Sequence, residues 1–291
     1  MPWAVQRIKV AQCDLLFSTS SAVMKSIKPP PGALHLCYCH SPARYIWEQT
    51  TDYAVGSGSR LRSLGLRLLA PRFKRWDRAT ADRVTKFLAN SQHTARRIRR
   101  CFDRDAEVVY PPVRTDFYTV DESIGREDWL LVVAALEPYK RSDIVIHAAN
   151  RAGLPLKVVG SGSQHAALRD LAGPTVELLG RVSDHQLRDL YRRARALVFP
   201  QVEDFGIIPV EAQATGCPVI AYAAGGTLET VTEATGLFFH RQSPDHIIDT
   251  VKSLDPDRFT PEACRQNALC FSSRTFDEAI RRQVEALLSP A

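Results

Sequence analysis

Residues 195–226 read RALVFPQVEDFGIIPVEAQATGCPVIAYAAGG. The apolar run at 195–200 has the length of a buried strand, residues 206–216 have a helical pattern, and the apolar run at 218–226 ends in two glycines. A strand, a helix and a second strand in this order form a βαβ unit, in which the two strands are parallel. The stretch therefore indicates an α/β protein built on a parallel sheet.

The same alternation extends along the whole chain. The predicted strands are the apolar runs at 13–20, 33–39, 86–91, 106–113, 129–136, 156–162, 175–180, 195–200, 218–226 and 236–240. The predicted helices are 59–84, interrupted near Pro71, and 92–102, 140–152, 184–194, 206–216, 227–234, 261–271 and 274–288. A polar, acidic connector at 116–128 indicates a boundary between two domains, at 1–120 and 121–273. The last helix, within 274–291, is expected to pack back toward the first domain.

Composition restricts the class of protein. The chain has 291 residues, of which 45% are hydrophobic and 24% charged, as in soluble globular proteins. No apolar run approaches the ~20 residues that a membrane span requires. Residues 1–14 also lack the zones of a signal peptide. The predicted location is therefore the cytoplasm.

The seven cysteines are scattered, and their odd number indicates no disulfide framework. Cys37 and Cys39 are close together, with His35 and His40 beside them. A zinc site needs a second ligand pair at regular spacing, which the sequence lacks. The two cysteines alternate along an apolar run, as residues on one face of a strand do. We therefore predict a structural role for them and no metal site.

The net charge of +6 is concentrated in one stretch, since residues 60–104 hold 14 Lys and Arg against three Asp. The first interpretation is a solvated helical face whose long basic side chains cover apolar surface. The second is a peripheral contact with an anionic membrane on its inner face, or with a pyrophosphate-bearing lipid. Nucleic acid ranks last, because no recognition motif accompanies the charge.

Candidate chemistry lies in EDFGIIPVE, where Glu203 follows a strand and Glu211 lies within the next helix. The start of that helix presents unpaired N–H groups and a partial positive charge, which suit a phosphate or a sugar oxygen. Gly206 lets the backbone approach a ligand without an intervening side chain. Carboxylates accept hydrogen bonds from vicinal hydroxyls, so the two glutamates are suited to a sugar and a ribose.

On these residues the chain resembles the retaining glycosyltransferases of group one, which have the GT-B fold. The family pattern is Glu-x7-Glu followed by a small residue, Gly-x-Pro-Val-Ile-Ala and a Gly-Gly turn. The further matching blocks, in the expected order, are HSPARYIWE, ANSQHTARRIRRCF, VVYPPVRTDFY, LEPYKR and GRVSDHQL. YCHSP and PYKR are most similar to bacterial mannosyltransferases of surface-polysaccharide assembly. The resemblance implies two Rossmann-like domains that face a cleft.

The resemblance also implies roles for individual residues of the second domain. Glu203 would contact the donor sugar, Glu211 the ribose hydroxyls and Lys140 the donor pyrophosphate. The backbone N–H groups that would hold sugar and phosphate are those of Phe205, Gly206, Ile207 and Ile208. The family commonly has an arginine where this chain has Ala135, and Arg141 is a candidate to supply the missing charge.

The nucleotide base would lie near Arg181, Val182 and Asp184, where an aspartate suits guanine and hence GDP-mannose. An alternative is that Asp184 merely caps the helix at 184–194. Gly160 and Gly162 fit a tight turn as well as a phosphate contact. In the first domain, His40 is expected to be catalytic and to stabilise charge at the donor sugar. Arg44 is a candidate for binding a phosphate of the acceptor.

The implied function is transfer of a sugar with retention, with mannose from GDP-mannose as the expected donor. The expected acceptor is a saccharide or a polyprenyl-diphosphate-linked saccharide. No cofactor is expected besides this nucleotide-sugar substrate. Family members begin with a strand and a Gly-Gly loop that this chain lacks, so the first domain is expected to be incomplete. The alternative is a truncated, non-catalytic remnant that binds sugar nucleotides, and a third interpretation, a sugar-nucleotide epimerase, fits the Glu-x7-Glu block poorly.

Overall fold

The computed structural model describes residues 2–47, 60–255 and 258–289. The chain divides into two compact units. Unit 1 comprises Met1–Tyr110 and Asp277–Ala291, and unit 2 comprises Pro111–Phe276. Each unit is built on a parallel β-sheet, which confirms the predicted α/β class.

Unit 1 contains a four-stranded sheet with its strands in chain order. The strands are β1 (Leu15–Ser20), β2 (Leu34–Cys39), β3 (Lys86–Ala89) and β4 (Ala106–Val108), and every neighbouring pair is parallel. The helices are α1 (Pro2–Val5), α2 (Arg44–Trp47), α3 (Arg60–Ala81) and α4 (Gln92–Phe102). Helix α12 (Ser273–Leu288) runs into this unit from unit 2.

The predicted interruption near Pro71 is wrong, because α3 is one helix that contains this proline. A proline inside a helix removes a single backbone hydrogen bond, and packing of the flanking turns can hold the helix together. Here the C-terminal part of α3 is anchored by the buried Asp77 and Thr80. Residue 59, the first of the predicted helix, lies outside the described residues.

The basic stretch is less uniform than the interpretation as a solvated face supposed. Arg97 is 3% exposed, and Arg83 and Arg104 donate hydrogen bonds to backbone carbonyls within unit 1. Arg72 and Arg75 are exposed. Part of the positive charge therefore stabilises unit 1, and part faces solvent. The side chains of residues 60–68 lie outside the description.

Unit 2 contains a six-stranded parallel sheet. Its strands are β5 (Leu130–Val133), β6 (Leu156–Val159), β7 (Val176–Gly180), β8 (Ala196–Phe199), β9 (Val219–Tyr222) and β10 (Gly236–Phe239). Its helices are α5 (Ser142–Ala152), α6 (His165–Leu171), α7 (Asp184–Arg193), α8 (Ile207–Ala214), α9 (Thr227–Thr230), α10 (Pro244–Lys252) and α11 (Pro261–Leu269).

The strand order in unit 2 is β10-β9-β8-β5-β6-β7. Counted from β5, this is the 3-2-1-4-5-6 order of the dinucleotide-binding Rossmann fold. The order reverses between β5 and β8, which are direct neighbours through Leu130 and Leu131. In open parallel sheets, a ligand crevice forms outside the carboxyl ends of the strands at such a reversal.

The predicted strands all form, within a few residues of their expected limits, whereas α1, α2, α6 and α10 were not predicted. All four are short helices, and α10 is signalled by its cap, in which Ser243 accepts a hydrogen bond from the backbone of His246 and Pro244 occupies the first turn.

The seven cysteines are all free thiols, and Cys37 and Cys39 are buried together in the apolar core of unit 1. Within residues 2–47, 60–255 and 258–289, no three His, Cys, Asp or Glu side chains are grouped as a metal site would need. Among the same residues, no helix has the length and apolar character to cross a membrane.

Candidate active site

The candidate site of unit 2 lies where the strand order reverses. Lys140 ends a short 3₁₀ helix, Pro138–Lys140, that follows β5, and Glu203 lies in the loop that follows β8. The lysine Nζ and the glutamate Oε1 form an ion pair. Their side chains are 15% and 22% exposed, so the pair is partly accessible to a ligand. The structure thus brings together two residues that are 63 positions apart in the chain.

The loop that carries Glu203 is held by the Gly-Gly turn after β9. Glu203 forms an isolated parallel bridge with Gly225, and the N–H of Gly226 donates to the carbonyl of Glu203 at 2.9 Å. A Cβ at Gly225 would lie 2.4 Å from that carbonyl, and a Cβ at Gly226 would lie 2.3 Å from the carbonyl of Phe205. Only glycine allows two backbones to approach this closely, so the turn holds the loop that carries Glu203 in place.

The N-terminus of α8 follows directly. Gly206 precedes the helix with φ 89°, a conformation that favours glycine. Phe205 is buried against Phe271, Ile207 is 45% exposed and Ile208 is half-buried. Gly206, the residue at the cap position, has no side chain with which to cap this N-terminus. It can therefore offer backbone N–H groups and a partial positive charge to an anionic ligand.

Glu211 lies one turn into α8, half-buried. Its Oε2 accepts a hydrogen bond of 3.2 Å from the hydroxyl of Tyr191, a residue of α7 that is 0% exposed. Burial raises the pKa of the Glu211 carboxyl, and the hydrogen bond from Tyr191 lowers it in part. The sequence had given no indication of this tyrosine.

Asp184 is the first residue of α7 and forms an ion pair of 2.8 Å with Arg114, in which both side chains are more than half exposed. The alternative that Asp184 caps the helix is wrong, because Ser183 is the cap and forms a reciprocal pair of hydrogen bonds with Gln186. The Asp184 carboxylate is therefore held at the surface by an arginine that sequence reasoning had missed.

Arg181, Val182 and Ser183 form the turn between β7 and α7. The Arg181 Nε donates to the Ser161 hydroxyl at 2.7 Å, and Val182 is half-buried. This contact joins the loop after β7 to the loop after β6. Both loops lie at the carboxyl edge of the sheet, on the β6 and β7 side of the reversal.

Arg141 adopts a left-handed conformation, φ 55°, at the start of α5, and its guanidinium pairs with Asp143 at 3.2 Å. Both residues line a cavity of about 330 Å³, whose lining does not include Lys140 or Glu203. Ala135 is exposed, so its position has room for a larger side chain. For Arg141 to replace the arginine that is missing at position 135, its guanidinium would have to leave Asp143.

Gly160 and Gly162 are explained by backbone packing. A Cβ at Gly160 would lie 1.8 Å from the carbonyl of Ala134, and a Cβ at Gly162 would lie 2.5 Å from that of Leu136. The N–H of Leu136 also donates to the carbonyl of Ser161 at 2.9 Å. These glycines hold the loop after β5, which leads to Lys140.

Unit 1 carries the two remaining predicted residues. His40 follows β2, its N–H donates to the carbonyl of Ser20 at 2.8 Å, and its ring lies edge-on to Tyr38 at 5.0 Å. Arg44 begins α2. Arg97, on α4, donates to the Ser41 hydroxyl at 2.9 Å and to the carbonyl of Pro42 at 3.4 Å. The segment from His40 to Pro42 is therefore held by a buried arginine of the basic stretch.

The model of the family described as glycosyl transferases group 1 matches residues 118–269, more than half of the chain. The chain belongs to the group 1 glycosyltransferases. Its matched region covers most of unit 2, including the Lys140–Glu203 pair, Asp184 and Glu211.

Two curated relatives illustrate the similarity. One is the GDP-mannose-dependent monoacylated alpha-(1-6)-phosphatidylinositol monomannoside mannosyltransferase of Corynebacterium glutamicum, 32% identical over 200 residues, 58% of this chain and 52% of the relative. The other is the D-inositol 3-phosphate glycosyltransferase of Frankia alni, 36% identical over 148 residues, 44% of this chain and 36% of the relative. The matched regions thus span about half the length of these relatives, or less.

Solved structures show the same fold at low identity. Sucrose-phosphate synthase from Thermosynechococcus elongatus matches with a TM-score of 0.75 and 17% identity, over 94% of this chain and 73% of the other. HepE of Anabaena, solved with UDP and glucose, matches with a TM-score of 0.66 and 15% identity, over 94% of this chain and 100% of the other. This group 1 glycosyltransferase therefore has the Rossmann-like domains of the GT-B fold.

Proposed function

We propose that this chain is a transferase that uses a nucleotide-sugar donor bound to unit 2. The proposed donor is GDP-mannose, and the transferred sugar is mannose. The observation that carries the proposal is the Lys140–Glu203 ion pair at the point where the strand order reverses. Its two charges match the two parts of such a donor, because an ammonium attracts a diphosphate and a carboxylate accepts from sugar hydroxyls.

Donor binding would replace one set of charge contacts by another. In the free protein Lys140 and Glu203 neutralise each other. The diphosphate takes the ammonium as its partner, and the sugar hydroxyls take the carboxylate. The N-terminus of α8, beside Gly206, adds backbone N–H groups that favour negative charge. Every charged group of this arrangement therefore keeps a partner in the bound state.

The proposed reaction proceeds with retention. The bond between the donor C1 and the phosphate oxygen breaks, and the acceptor hydroxyl forms its bond to C1 from the same face. The departing phosphate takes the proton of that hydroxyl. Negative charge grows on the phosphate in the transition state, so Lys140 and the start of α8 stabilise the transition state more than the ground state. His40, on unit 1, would stabilise charge at the sugar, and no cofactor takes part.

Two observations support GDP-mannose. The carboxylate of Asp184 can accept from the ring N–H and amino group of guanine. The Corynebacterium glutamicum relative is a GDP-mannose-dependent enzyme by name, although HepE was solved with UDP and glucose. The donor base is therefore the first variable of the test below.

The proposed acceptor is a saccharide or a lipid-linked saccharide, with Arg44 as a contact to its phosphate. The exposed arginines of the basic stretch, Arg72 and Arg75 among them, support a peripheral contact with an anionic membrane surface. No nucleic-acid role is proposed.

The proposal is tested by measuring the melting temperature of the full chain with GDP, UDP, GDP-mannose and UDP-glucose, followed by turnover of the sugar nucleotide that binds best. A ligand at about 100 times its Kd stabilises the folded state by about 2.7 kcal/mol, enough to raise the melting temperature measurably. Glu203→Gln should lose the preference for GDP-mannose over GDP, whereas Glu177→Gln, a change of an exposed glutamate on β7, should keep it.

Three outcomes separate the alternatives. Binding and turnover of GDP-mannose support the transferase. Binding without transfer or hydrolysis supports a non-catalytic remnant instead. Absence of any shift with all four nucleotides would contradict the donor site itself.

A further inference from the structure

We propose that Tyr191 is a positioning residue, which acts on the donor through Glu211 by fixing the carboxylate that accepts from the two ribose hydroxyls. This inference rests on the proposed function, since it assigns a partner to one of the donor-binding residues. Tyr191 itself touches no ligand in this arrangement, because its side chain is fully buried.

The geometry ties the tyrosine to one oxygen of the carboxylate. The Tyr191 hydroxyl donates to the Glu211 Oε2 at 3.2 Å. Within the part of the chain that the structure describes, Oε1 accepts no hydrogen bond from a side chain. One carboxylate oxygen is thus held by the protein, and the other is left to accept from a ligand. A buried tyrosine hydroxyl requires a partner, and Glu211 supplies it.

The tyrosine is itself held rigidly. Its ring lies edge-on to that of Tyr118, with the centroids 5.8 Å apart, and Tyr118 is 1% exposed. Tyr191 is on α7 and Glu211 is on α8, so the hydrogen bond joins two helices that pack against each other. A side chain fixed by its surroundings can orient its partner without losing further conformational entropy.

Glu211 needs such a partner because a glutamate has three rotatable side-chain bonds. A carboxylate that accepts from two vicinal hydroxyls must be held in one orientation toward the diol. Free rotation would have to be lost when the donor binds, which weakens binding. Burial also raises the pKa of Glu211, and the Tyr191 hydroxyl opposes that rise by favouring the ionised, accepting form.

A purely structural role for Tyr191 predicts a different result. If the hydroxyl only satisfied the core, its removal would lower stability and weaken all ligands equally. If it positions Glu211, its removal weakens only those ligands that carry ribose hydroxyls. Comparison of GDP with 2′,3′-dideoxy-GDP separates the two roles, because these probes differ only at the ribose.

The experiment measures the Kd of both nucleotides by calorimetry for the full chain, for Tyr191→Phe, for Glu211→Gln and for the double variant. In the wild type, GDP should bind roughly 10–100-fold tighter than the dideoxy analogue, as expected for hydrogen bonds to a charged group. Tyr191→Phe should reduce this ratio to about threefold or less. Adding Tyr191→Phe to Glu211→Gln should change the ratio no further, because the tyrosine acts through the glutamate.

Tyr118→Phe is the matched control, since it removes a second buried hydroxyl of the same aromatic pair, one that accepts from Arg114 at 3.5 Å instead of donating to Glu211. It should leave the ratio of the two Kd values at its wild-type level. A wild-type ratio in a folded Tyr191→Phe protein would overturn the inference and leave the donor site standing. Failure of the wild type to bind GDP would overturn the inference together with the proposed function. If Tyr191→Phe does not fold, Tyr191→Met, which also lacks the hydroxyl but fills apolar space, is measured in its place, and a wild-type ratio in that protein would overturn the inference equally.

Discussion

The two units hold the loops at the carboxyl ends of their strands in different ways. In unit 1, buried cations hold them. Lys25, after β1, is 0% exposed, and its Nζ donates to Asp77 at 2.6 Å and to the Thr80 hydroxyl at 3.1 Å. Arg97 holds the segment after β2 through Ser41. Long charged side chains thus connect the loops to the neighbouring helices.

In unit 2, glycines hold the corresponding loops. Gly160 and Gly162 lie against the backbone after β5, and Gly225 and Gly226 lie against the backbone after β8. No side chain could occupy the space between these backbones. The charges at this edge of unit 2, Lys140 among them, pair with each other and stay partly accessible.

The difference distinguishes charged side chains that stabilise the fold from charged side chains that a ligand can reach. Where glycines hold the loops, the charged side chains pair with each other and stay partly accessible to a ligand. Where charged side chains hold the loops, they are buried and paired within the protein. Removal of Lys25 should therefore destabilise unit 1, whereas removal of Lys140 should abolish binding in unit 2, and the three predictions that follow test this contrast.

The largest effect is expected for Lys25→Ala. The variant leaves Asp77 as an unpaired buried charge, which costs about 3–5 kcal/mol of unfolding free energy. Urea unfolding followed by the fluorescence of Trp47 and Trp76 reports the loss, because Trp47 donates to Asp77 and the Trp76 ring lies 5.9 Å from the Lys25 ammonium.

The control replaces both charges, as Lys25→Met with Asp77→Leu. Apolar residues of similar volume can take the place of a buried ion pair at little cost, so most of the lost stability should return. GDP affinity at unit 2 should stay at its wild-type value in the double variant. A drop in that affinity as large as the one in a Lys140→Ala protein would break the contrast between the units.

The sequence indicated the glycines but not the cations. A Gly-x-Gly after a strand and a Gly-Gly after another are visible patterns, because glycine alone fits a close backbone approach. Lys25 occurs in SAVMKSIK, which has no pattern that marks a buried charge. Its partner Asp77 is 52 positions away, and only the fold brings them together.

The candidate site divides in the same way. Glu203, Gly206 and Glu211 were predictable because they lie in one local block at a strand end. Tyr191 and Arg114 were not, because each acts through a contact with a residue that is distant in the chain: Glu211 is 20 positions from Tyr191, and Asp184 is 70 positions from Arg114. Local patterns identify candidate ligand contacts, and the fold is needed to identify the residues that hold those candidates in place.

The second prediction concerns the glycines. Gly160→Ala should destabilise unit 2 by about 3 kcal/mol, since the new Cβ would lie 1.8 Å from the Ala134 carbonyl and φ is 141°. Gly153→Ala is the control, because φ is 65° there but no atom lies within 4 Å of the added Cβ. It should cost only about 1 kcal/mol, from the left-handed conformation alone. Thermal unfolding of both variants gives the comparison.

GDP affinity sharpens this second test. A displaced loop after β5 moves Lys140, so Gly160→Ala should weaken GDP binding, whereas Gly153→Ala should not. Equal stability losses in the two variants would mean that the close backbone contact of Gly160 is not needed, and that the contrast between the units is wrong.

The smallest effect is expected from a change of pH. Unit 1 buries a titratable histidine, whereas the glycine contacts of unit 2 contain no titratable group. His35, on β2, is 0% exposed and shares a hydrogen bond of 2.8 Å with Ser18. Burial lowers the pKa of His35 from 6.5 to about 4.

The sign of this pH dependence follows from where the proton binds. Above pH 6.5 both states of His35 are neutral and unit 1 has its full stability. Between pH 6.5 and 4 the unfolded chain takes up a proton that the folded unit refuses, so stability falls as the pH is lowered, by about 2 kcal/mol at pH 5. Glu211 in unit 2 has the opposite effect, because its raised pKa favours proton uptake by the folded state in acid.

Hydrogen exchange at pH 7.5 and pH 5, corrected for the intrinsic rates, measures this difference unit by unit. Peptides covering Leu34–Cys39 should lose protection at pH 5, whereas those covering Ala196–Phe199 in unit 2 should not. His35→Gln should remove the pH dependence of the first set, and His147→Gln, a change of an exposed histidine on α5, should leave it intact. Equal loss of protection in both sets of peptides would show that acid sensitivity is a property of the whole chain, since a buried imidazole in unit 1 alone cannot produce it.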